Sequence, residues 1–351
     1  MTVAVVGAGL SGLSAAWELS RAGADVVLLE AERHPGGVIV TERHDGFVVE
    51  GGPDGFLAAE PDLPDLARAL GIGDRLVDQQ AAGSTLWTGR RLDRLAEGRA
   101  AELLGIQGTA DVDVARGFQS FARGMRDIVD ALVARVGTAI RSTHGVTGIV
   151  ATPRGWRLSV TGGSAQEAEG VILALPAWAI ARLVAGLGVA PARALGEVVY
   201  YPSSTVSLAY RTGQLPRTLD GAGFVAAREW PGAVRACSYS SFKYPGRAPD
   251  GHALLRAFVG PVDGEPGALA HAELATILGI RGSPLWTRAF HWPRGLPRYQ
   301  PGHAAHVAAL RARLARLAPL DVAGAGVDGA GVSACVKSGR AAAHRVLGRL
   351  A

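Results

Sequence analysis

The stretch VAVVGAGLSGLSAAWELSRAGADVVLLE, beginning at Val3, leaves the N-terminal part of this chain little choice of fold. Residues 3–6 form a short, continuous apolar run, the pattern of a strand buried on both faces of a parallel sheet. Gly7-Ala8-Gly9-Leu10-Ser11-Gly12 follows. A helical pattern through Leu13, Ala16, Trp17 and Leu19 then stops at Ala22-Gly23, and residues 26–29 make a second strand ending at Glu30. Three glycines at a strand–helix junction each need a reason. Gly7 permits the tight turn, Gly9 lets a pyrophosphate approach the backbone, and Gly12 lets helix and strand pack closely. The bare helix N-terminus offers N–H groups to the anion. Glu30 stands where an acidic side chain accepts hydrogen bonds from a ribose diol and repels a 2′-phosphate, which disfavours NADP. A glycine-rich structural turn would not require Glu30.

FAD and NAD share this unit, and the following residues bear on the choice. Glu32-Arg33-His34-Pro35-Gly36-Gly37 brings a second glycine pair, a further backbone approach to the same ligand, with Arg33 available for phosphate or for orienting the loop. Asp45-Gly46 reads as a hairpin turn between residues 38–43 and 47–50. Glu50-Gly51-Gly52-Pro53-Asp54-Gly55-Phe56 is too glycine-rich for a strand.

Composition narrows the function classes. A chain of 351 residues suits two lobes or one elaborated domain, and a hydrophobic share of 48% is ample for a globular interior. The net charge of +5 comes from scattered residues that are nearly all arginine, with Lys243 and Lys337 as the only lysines, so no nucleic-acid surface is expected. Cys237 and Cys335 are too few for a disulfide framework or a zinc site. The nine histidines lack ligand spacing. His303-x-x-His306 has no accompanying carboxylate, so no metal is expected. The first strand leaves no room for a signal peptide before Val3. The most apolar stretch, 171–190, is interrupted by Pro176 and Arg182 and reads as a strand followed by a helix. A cytoplasmic protein without an integral membrane segment is expected.

The chain resembles the FAD-dependent amine oxidase superfamily, and within it the oxygen-dependent protoporphyrinogen/coproporphyrinogen oxidase group. The dinucleotide motif, the stretch from Arg33 to Thr41 and EGGPDGF carry the resemblance in order. GFQSFARGMRDIVDAL (117–132), GVTGIV (145–150), VILALPAWAIARLV (171–184), FHWPRGLPRYQPGHAAHVAALRARL (290–314) and GAGVDGAGVSACVKSGRAAA (324–343) continue it. The resemblance implies that Gly7, Ala8, Gly9, Leu10, Ser11 and Gly12 bind the pyrophosphate of FAD and Glu30 the ribose. Arg33, Gly36, Gly37 and Val38 would lie along the cofactor, and Val146 would contact adenine through its backbone. Gly52, Pro53, Asp54 and Gly55 would approach the flavin, Trp292 would neighbour it, and Gly324, Ala330, Gly331 and Val332 would close its site. The helix after Gly331 would direct its positive end at the reduced flavin. No catalytic side chain is singled out, because the cofactor carries the chemistry.

Two departures stand out. The family's long helical stretch, which covers the substrate cavity, is replaced here by residues 93–116, with room for about one helix and no core of its own. Ala325 and Val327 stand where the family has an Asn and an aromatic residue. The expected architecture is α/β: a Rossmann-like FAD-binding domain (1–56, 115–185 and 290–351) with a discontinuous, reduced mixed-sheet substrate domain (57–114 and 186–289). The expected reaction is a two-electron dehydrogenation of a C–H next to nitrogen, with O2 as acceptor. The missing lobe favours a small-molecule or carrier-tethered specialised substrate over a housekeeping porphyrinogen, and a homodimer or partner protein over the open flavin. A non-catalytic FAD scaffold and an NAD-linked dehydrogenase remain as alternatives. Arg90, Arg91 and Arg94 read as solvated hairpin arginines. Tyr200, Tyr201, Tyr239, Phe242 and Tyr244 read mostly as core.

Overall fold

The computed structural model describes residues 1–96, 98–103, 116–216 and 219–351. The first βαβ unit forms as the apolar pattern dictates. Strand Thr2–Val6 leads through the glycines into helix Leu10–Arg21, and strand Asp25–Leu29 pairs parallel with the first, Val3 opposite Val26. Gly23, at φ 79°, ends the helix where an L side chain would be strained. Among the described residues, five strands make the parallel sheet, in the order Ile140–Arg141, Asp25–Leu29, Thr2–Val6, Gly170–Leu173, Leu320–Val322. Helices Leu10–Arg21, Arg126–Val136 and Val332–Leu347 pack one face through a core containing Leu13, Ile128, Leu132 and Val336. Helices Ala177–Ala185 and His303–Leu314 cover the other face with Ile180, Leu183 and Leu310. This is the three-layer arrangement expected.

A second, mixed sheet of seven described strands includes Ser84–Trp87, Ser203–Arg211, Gly223–Ala226, His252–Val259 and Trp286–Trp292. Its core gathers Val206, Leu208, Phe224 and Leu255 with Leu274 and Ile277 of helix Pro266–Leu278.

Core packing joins segments that are far apart in sequence. Leu63, Leu66 and Leu70 lie in the same core as Leu13, and Val189, Leu195 and Val198 lie with Ile180. Both segments therefore pack with the parallel sheet, because amphipathic faces bury against the nearest apolar layer regardless of sequence position. Conversely, Phe290, His291 and Trp292 are paired in the mixed sheet opposite Thr205, Ser204 and Ser203. Of the short stretch 93–116, positions 97 and 104–115 lie outside the described residues, as do 217–218. Among the described residues no helix is long and apolar enough to cross a membrane.

Candidate cofactor and substrate site

The carboxyl ends of the parallel strands converge on one edge, where open α/β sheets bind ligands. A Cβ on Gly12 would stand 1.8 Å from the Gly7 carbonyl oxygen, so only glycine allows helix and turn to meet. A Cβ on Gly9 would meet nothing within 4 Å, so this glycine is not demanded by the protein's own packing. Glu30 is buried, and its Oε2 accepts a hydrogen bond from the Ala8 N–H at 2.6 Å, which holds the carboxylate against the glycine turn. Leu10 and Ser11 are buried in the helix start.

The second glycine pair folds onto the first. The Gly36 N–H donates to the Ala8 carbonyl at 2.8 Å, and Gly36 bridges Gly9. Gly36 and Gly37 have φ 125° and 58°. The chain then turns at Gly37-Val38, where the Ile39 N–H donates to the Gly36 carbonyl, so strand Thr41–His44 begins three residues later than the pattern suggested. Val38 is left 52% exposed beside it, an apolar surface that a ligand would cover. Arg33 is exposed and makes no ion pair among the described residues. Val146 starts strand Val146–Thr152 beside the end of the second strand, where the His144 N–H donates to the Glu30 carbonyl.

Residues 51–55 form the other arm of the site. A Cβ on Gly52 would stand 1.7 Å from the Val38 carbonyl oxygen, and one on Gly55 2.1 Å from the Tyr244 hydroxyl. The Gly51 carbonyl accepts from Thr205 Oγ1 at 2.9 Å, Arg256 Nη2 at 3.2 Å and Trp292 Nε1 at 2.9 Å, donors on three adjacent strands of the mixed sheet. Arg256 also donates to the Gly52 carbonyl. Trp292 is thus tied to the Gly51 carbonyl. Pro53 is half-buried beside Gly52.

A charged cluster that the sequence reading missed underlies this loop. Asp54 pairs with Lys243 at 3.2 Å, and Glu50 faces Arg247 at 3.6 Å. Arg247 and Arg256 are buried, and Arg247 Nη1 and Arg256 Nε have no hydrogen-bond partner among the described residues. Three cations thus face two carboxylates. Burial works to raise the Asp54 carboxyl, but Lys243 and Arg256 outweigh it and hold it below the usual range. At Glu50 burial wins and pushes the carboxyl up, despite Arg247 and the Thr41 hydrogen bond. Burial also depresses the Arg256 guanidinium, against the pull of Asp54 and Glu50. The signal available in the sequence was Lys243, one of two lysines in an arginine-rich chain.

The C-terminal arm is fixed by polar anchors. Gly324, at φ 122°, donates its N–H to Ser338 Oγ, and Asp328 takes a bidentate pair from Arg311 at 2.7 and 2.8 Å. His303 Nε2 donates to the Val327 carbonyl at 2.9 Å and the ring stacks on Tyr299, whose hydroxyl donates to the Ala325 carbonyl. His303 is therefore a loop anchor. Ala330 and Gly331 lead into helix Val332–Leu347, and the Glu60 carboxylate would lie 3.7 Å from a Cβ on Gly331. Tyr239 and Tyr244 are core, Tyr200 is half-buried, and Tyr201 and Phe242 are exposed. Arg91 pairs with Asp93, and Arg94 lies 4.0 Å from Asp220, both on the surface. Among the described residues no group of three His, Cys, Asp or Glu side chains could hold a metal ion.

The cradle fits an adenine dinucleotide: open space over Gly9, a buried carboxylate at Glu30 held against the glycine turn, and a second glycine arm closing on Val38. Together with the mixed sheet, it defines a two-lobed flavoprotein oxidoreductase. The chain belongs to the flavin containing amine oxidoreductase family, whose model matches residues 93–347, while residues 5–70 match the NAD(P)-binding Rossmann-like domain. Its cofactor is FAD. It is 29% identical to coproporphyrinogen III oxidase of Mycobacterium tuberculosis, over 96% of this chain and 95% of that protein. To the Staphylococcus aureus coproporphyrinogen III oxidase it is 23% identical, over 99% of each. That alignment runs over 467 positions against a chain of 351 residues, so more than a hundred positions of the relative face gaps. In fold it matches an Exiguobacterium protein assigned as a protoporphyrinogen oxidase, with a TM-score of 0.84, 23% identity and 98% of each chain covered. It also matches cyclohexylamine oxidase from Brevibacterium oxydans, with a TM-score of 0.79, 15% identity and 99% of each chain covered.

Proposed function

We propose that the protein is a cytoplasmic oxidase that takes electrons two at a time from a reduced tetrapyrrole of the porphyrinogen type, each step removing a hydride from a methylene bridge and a proton from a pyrrole N–H, with O2 as acceptor. The observation that carries it is the match to coproporphyrinogen III oxidases from end to end, combined with a cofactor cradle at the carboxyl edge of the sheet. When bound, the flavin supplies a two-electron acceptor. The chain's part is to hold and orient. Gly7, Ala8, Gly9, Leu10, Ser11 and Gly12 would hold the pyrophosphate, with Glu30 on the ribose. Arg33, Gly36, Gly37 and Val38 would run beside the dinucleotide, and Val146 would meet the adenine. Gly52, Pro53, Asp54, Gly55 and Trp292 would flank the flavin, and Gly324, Ala330, Gly331 and Val332 would close its other side. The excess cation of the Lys243–Arg247–Arg256 cluster favours negative charge in this region, since little water screens it there.

The functional division is a FAD lobe on the parallel sheet and a substrate lobe on the mixed sheet. Anaerobic addition of coproporphyrinogen III or protoporphyrinogen to the yellow protein tests the activity. Bleaching of the flavin absorbance, recovered on admitting air with H2O2 formed, is expected. A flavin that neither substrate bleaches would refute the free-porphyrinogen reading.

The alignment gap favours a second reading of how the site is covered. With the relatives' additional segment lacking, water competes for polar contacts unless a second copy, a partner or the substrate itself seals the cleft. Sedimentation together with the porphyrinogen assay tests this. The expectation is a dimer, or slow turnover of free protoporphyrinogen relative to a tethered or delivered substrate. A strict monomer with free protoporphyrinogen as its best substrate would restore the housekeeping role.

A further inference from the structure

A short ribbon sits between the two arms of the cofactor site. Val199–Tyr200 pairs antiparallel with Pro297–Arg298. On one side the Gly295 N–H donates to the Tyr201 carbonyl, three residues from Trp292 and its bond to Gly51. On the other, the Tyr200 hydroxyl accepts from the Ala177 N–H at 3.0 Å, and a Cβ on Gly326 would stand 2.5 Å from that hydroxyl. The ribbon therefore follows closely in the chain on Trp292, which holds Gly51, and touches the C-terminal glycine loop.

Its outer surface is unusual for a solvated ribbon. Val199, Tyr201 and Leu296 are 40%, 51% and 42% exposed, an apolar strip in a short span. Two guanidinium groups lie over aromatic faces beside it: Arg294 over Trp178 at 4.2 Å and Arg298 over Tyr201 at 4.5 Å. Both arginines are exposed, and neither pairs with a carboxylate among the described residues. This contrasts with Arg91, Arg157 and Arg288, whose charges are met by Asp93, Glu167 and Glu42. An apolar strip framed by unpaired cations that are held flat on aromatic rings matches one ligand chemistry: a broad apolar ring system with carboxylates at its edge. Stacking restricts each guanidinium in advance, so less freedom is lost when a carboxylate arrives.

We propose that Arg294 and Arg298, with Trp178, Val199, Tyr201 and Leu296, form a subsite that binds the peripheral carboxylates and apolar face of a tetrapyrrole substrate. The subsite rests on the porphyrinogen reading above and deepens it, because it names the groups that would recognise that substrate. Its charges are solvent-exposed, so each contact is modest and salt-sensitive.

The test uses the FAD-loaded full chain and two non-reacting probes, coproporphyrin III with four carboxylates and its tetramethyl ester, followed by tetrapyrrole fluorescence anisotropy. The acid form is expected to bind more tightly than the ester, and more weakly as salt is raised. Arg294→Ala and Arg298→Ala should each weaken binding of the acid about threefold and together about tenfold. Arg294→Lys and Arg298→Lys should restore part of the loss, and FAD content should be unchanged throughout. Equal binding of acid and ester, or an unaltered affinity in the double variant, would overturn the subsite, as would a holoprotein that binds neither probe. Arginine-dependent binding of the acid by a protein that oxidises no porphyrinogen would uphold the subsite and overturn the activity.

Discussion

Replacing Gly9 by alanine separates the cofactor's demand for glycine from the fold's. Gly9 has φ −69° and ψ 177°, a conformation open to any L-residue, and a Cβ there would meet no protein atom within 4 Å. The apoprotein should therefore keep its stability or gain about 0.4–1 kcal/mol from a less flexible unfolded chain. The cofactor has no such tolerance. A phosphate oxygen in van der Waals contact with the Gly9 Cα sits at about 3.5 Å, and a Cβ reaches about 1.5 Å outward toward it. The oxygen must then withdraw by more than about 1 Å, beyond hydrogen-bonding range of the helix amides. Losing two charge-assisted bonds at about 1.5–3 kcal/mol each amounts to a hundredfold or greater rise in Kd. The assay is titration of apoprotein with FAD by flavin fluorescence, alongside thermal unfolding with and without FAD. The expected result is unchanged apoprotein unfolding, weak FAD binding and a much smaller stabilisation by added FAD. Stoichiometric FAD at wild-type affinity would show that the pyrophosphate does not pass over Gly9. An apoprotein that fails to fold would show that the glycine serves packing, as Gly12 does.

Trp292→Phe removes one of three donors to the Gly51 carbonyl, so FAD should stay bound while flavin fluorescence and reduction rate change; identical spectra and rates in a folded variant would place the indole away from the flavin. Asp54→Asn breaks the partner of Lys243 and should cost roughly 3 kcal/mol near neutral pH. The Asp54 carboxyl is held below its unfolded value, so this stabilisation is complete above the unfolded carboxylate range, about pH 3.9, and is lost as pH falls through the lower folded value. Urea unfolding from neutral pH downward should show wild type and variant converging only in acid; a constant gap would refute the ion-pair account. Gly339→Val places side-chain carbon where a Cβ would stand 2.0 Å from the Ser11 carbonyl oxygen. The crossing of the first and last helices should then open at a cost of about 1–3 kcal/mol or more, read as a lower Tm, and an unchanged Tm would refute the close crossing.

Much of this protein was legible locally. The first strand, the glycine turn, its helix and the second strand depend on contacts within one βαβ unit, and the apolar period and glycine spacing encode them directly. The hairpin at Asp45-Gly46 is similar: both residues have positive φ, at 48° and 80°, as a two-residue turn requires. The strand and helix on either side of Pro176 also follow from composition alone. Other features had no local signature. Leu63 and Leu70 look alike whichever sheet they cover, and only packing assigned them to the core of the parallel sheet. Asp54 read as a neighbour of the cofactor, but Glu50, Lys243, Arg247 and Arg256 read as ordinary charges until the mixed sheet closes over residues 51–55 and removes their water. Their importance comes from a low dielectric that no single segment possesses. The same holds for Arg294 and Arg298, which are unpaired only because of what the tertiary fold places, and does not place, within reach of them. Sequence determined what could bind at the glycine turn, since backbone access is a property of the residues themselves. Tertiary structure decided which charges are buried, which are paired and which stay exposed, because those depend on the water that distant segments exclude.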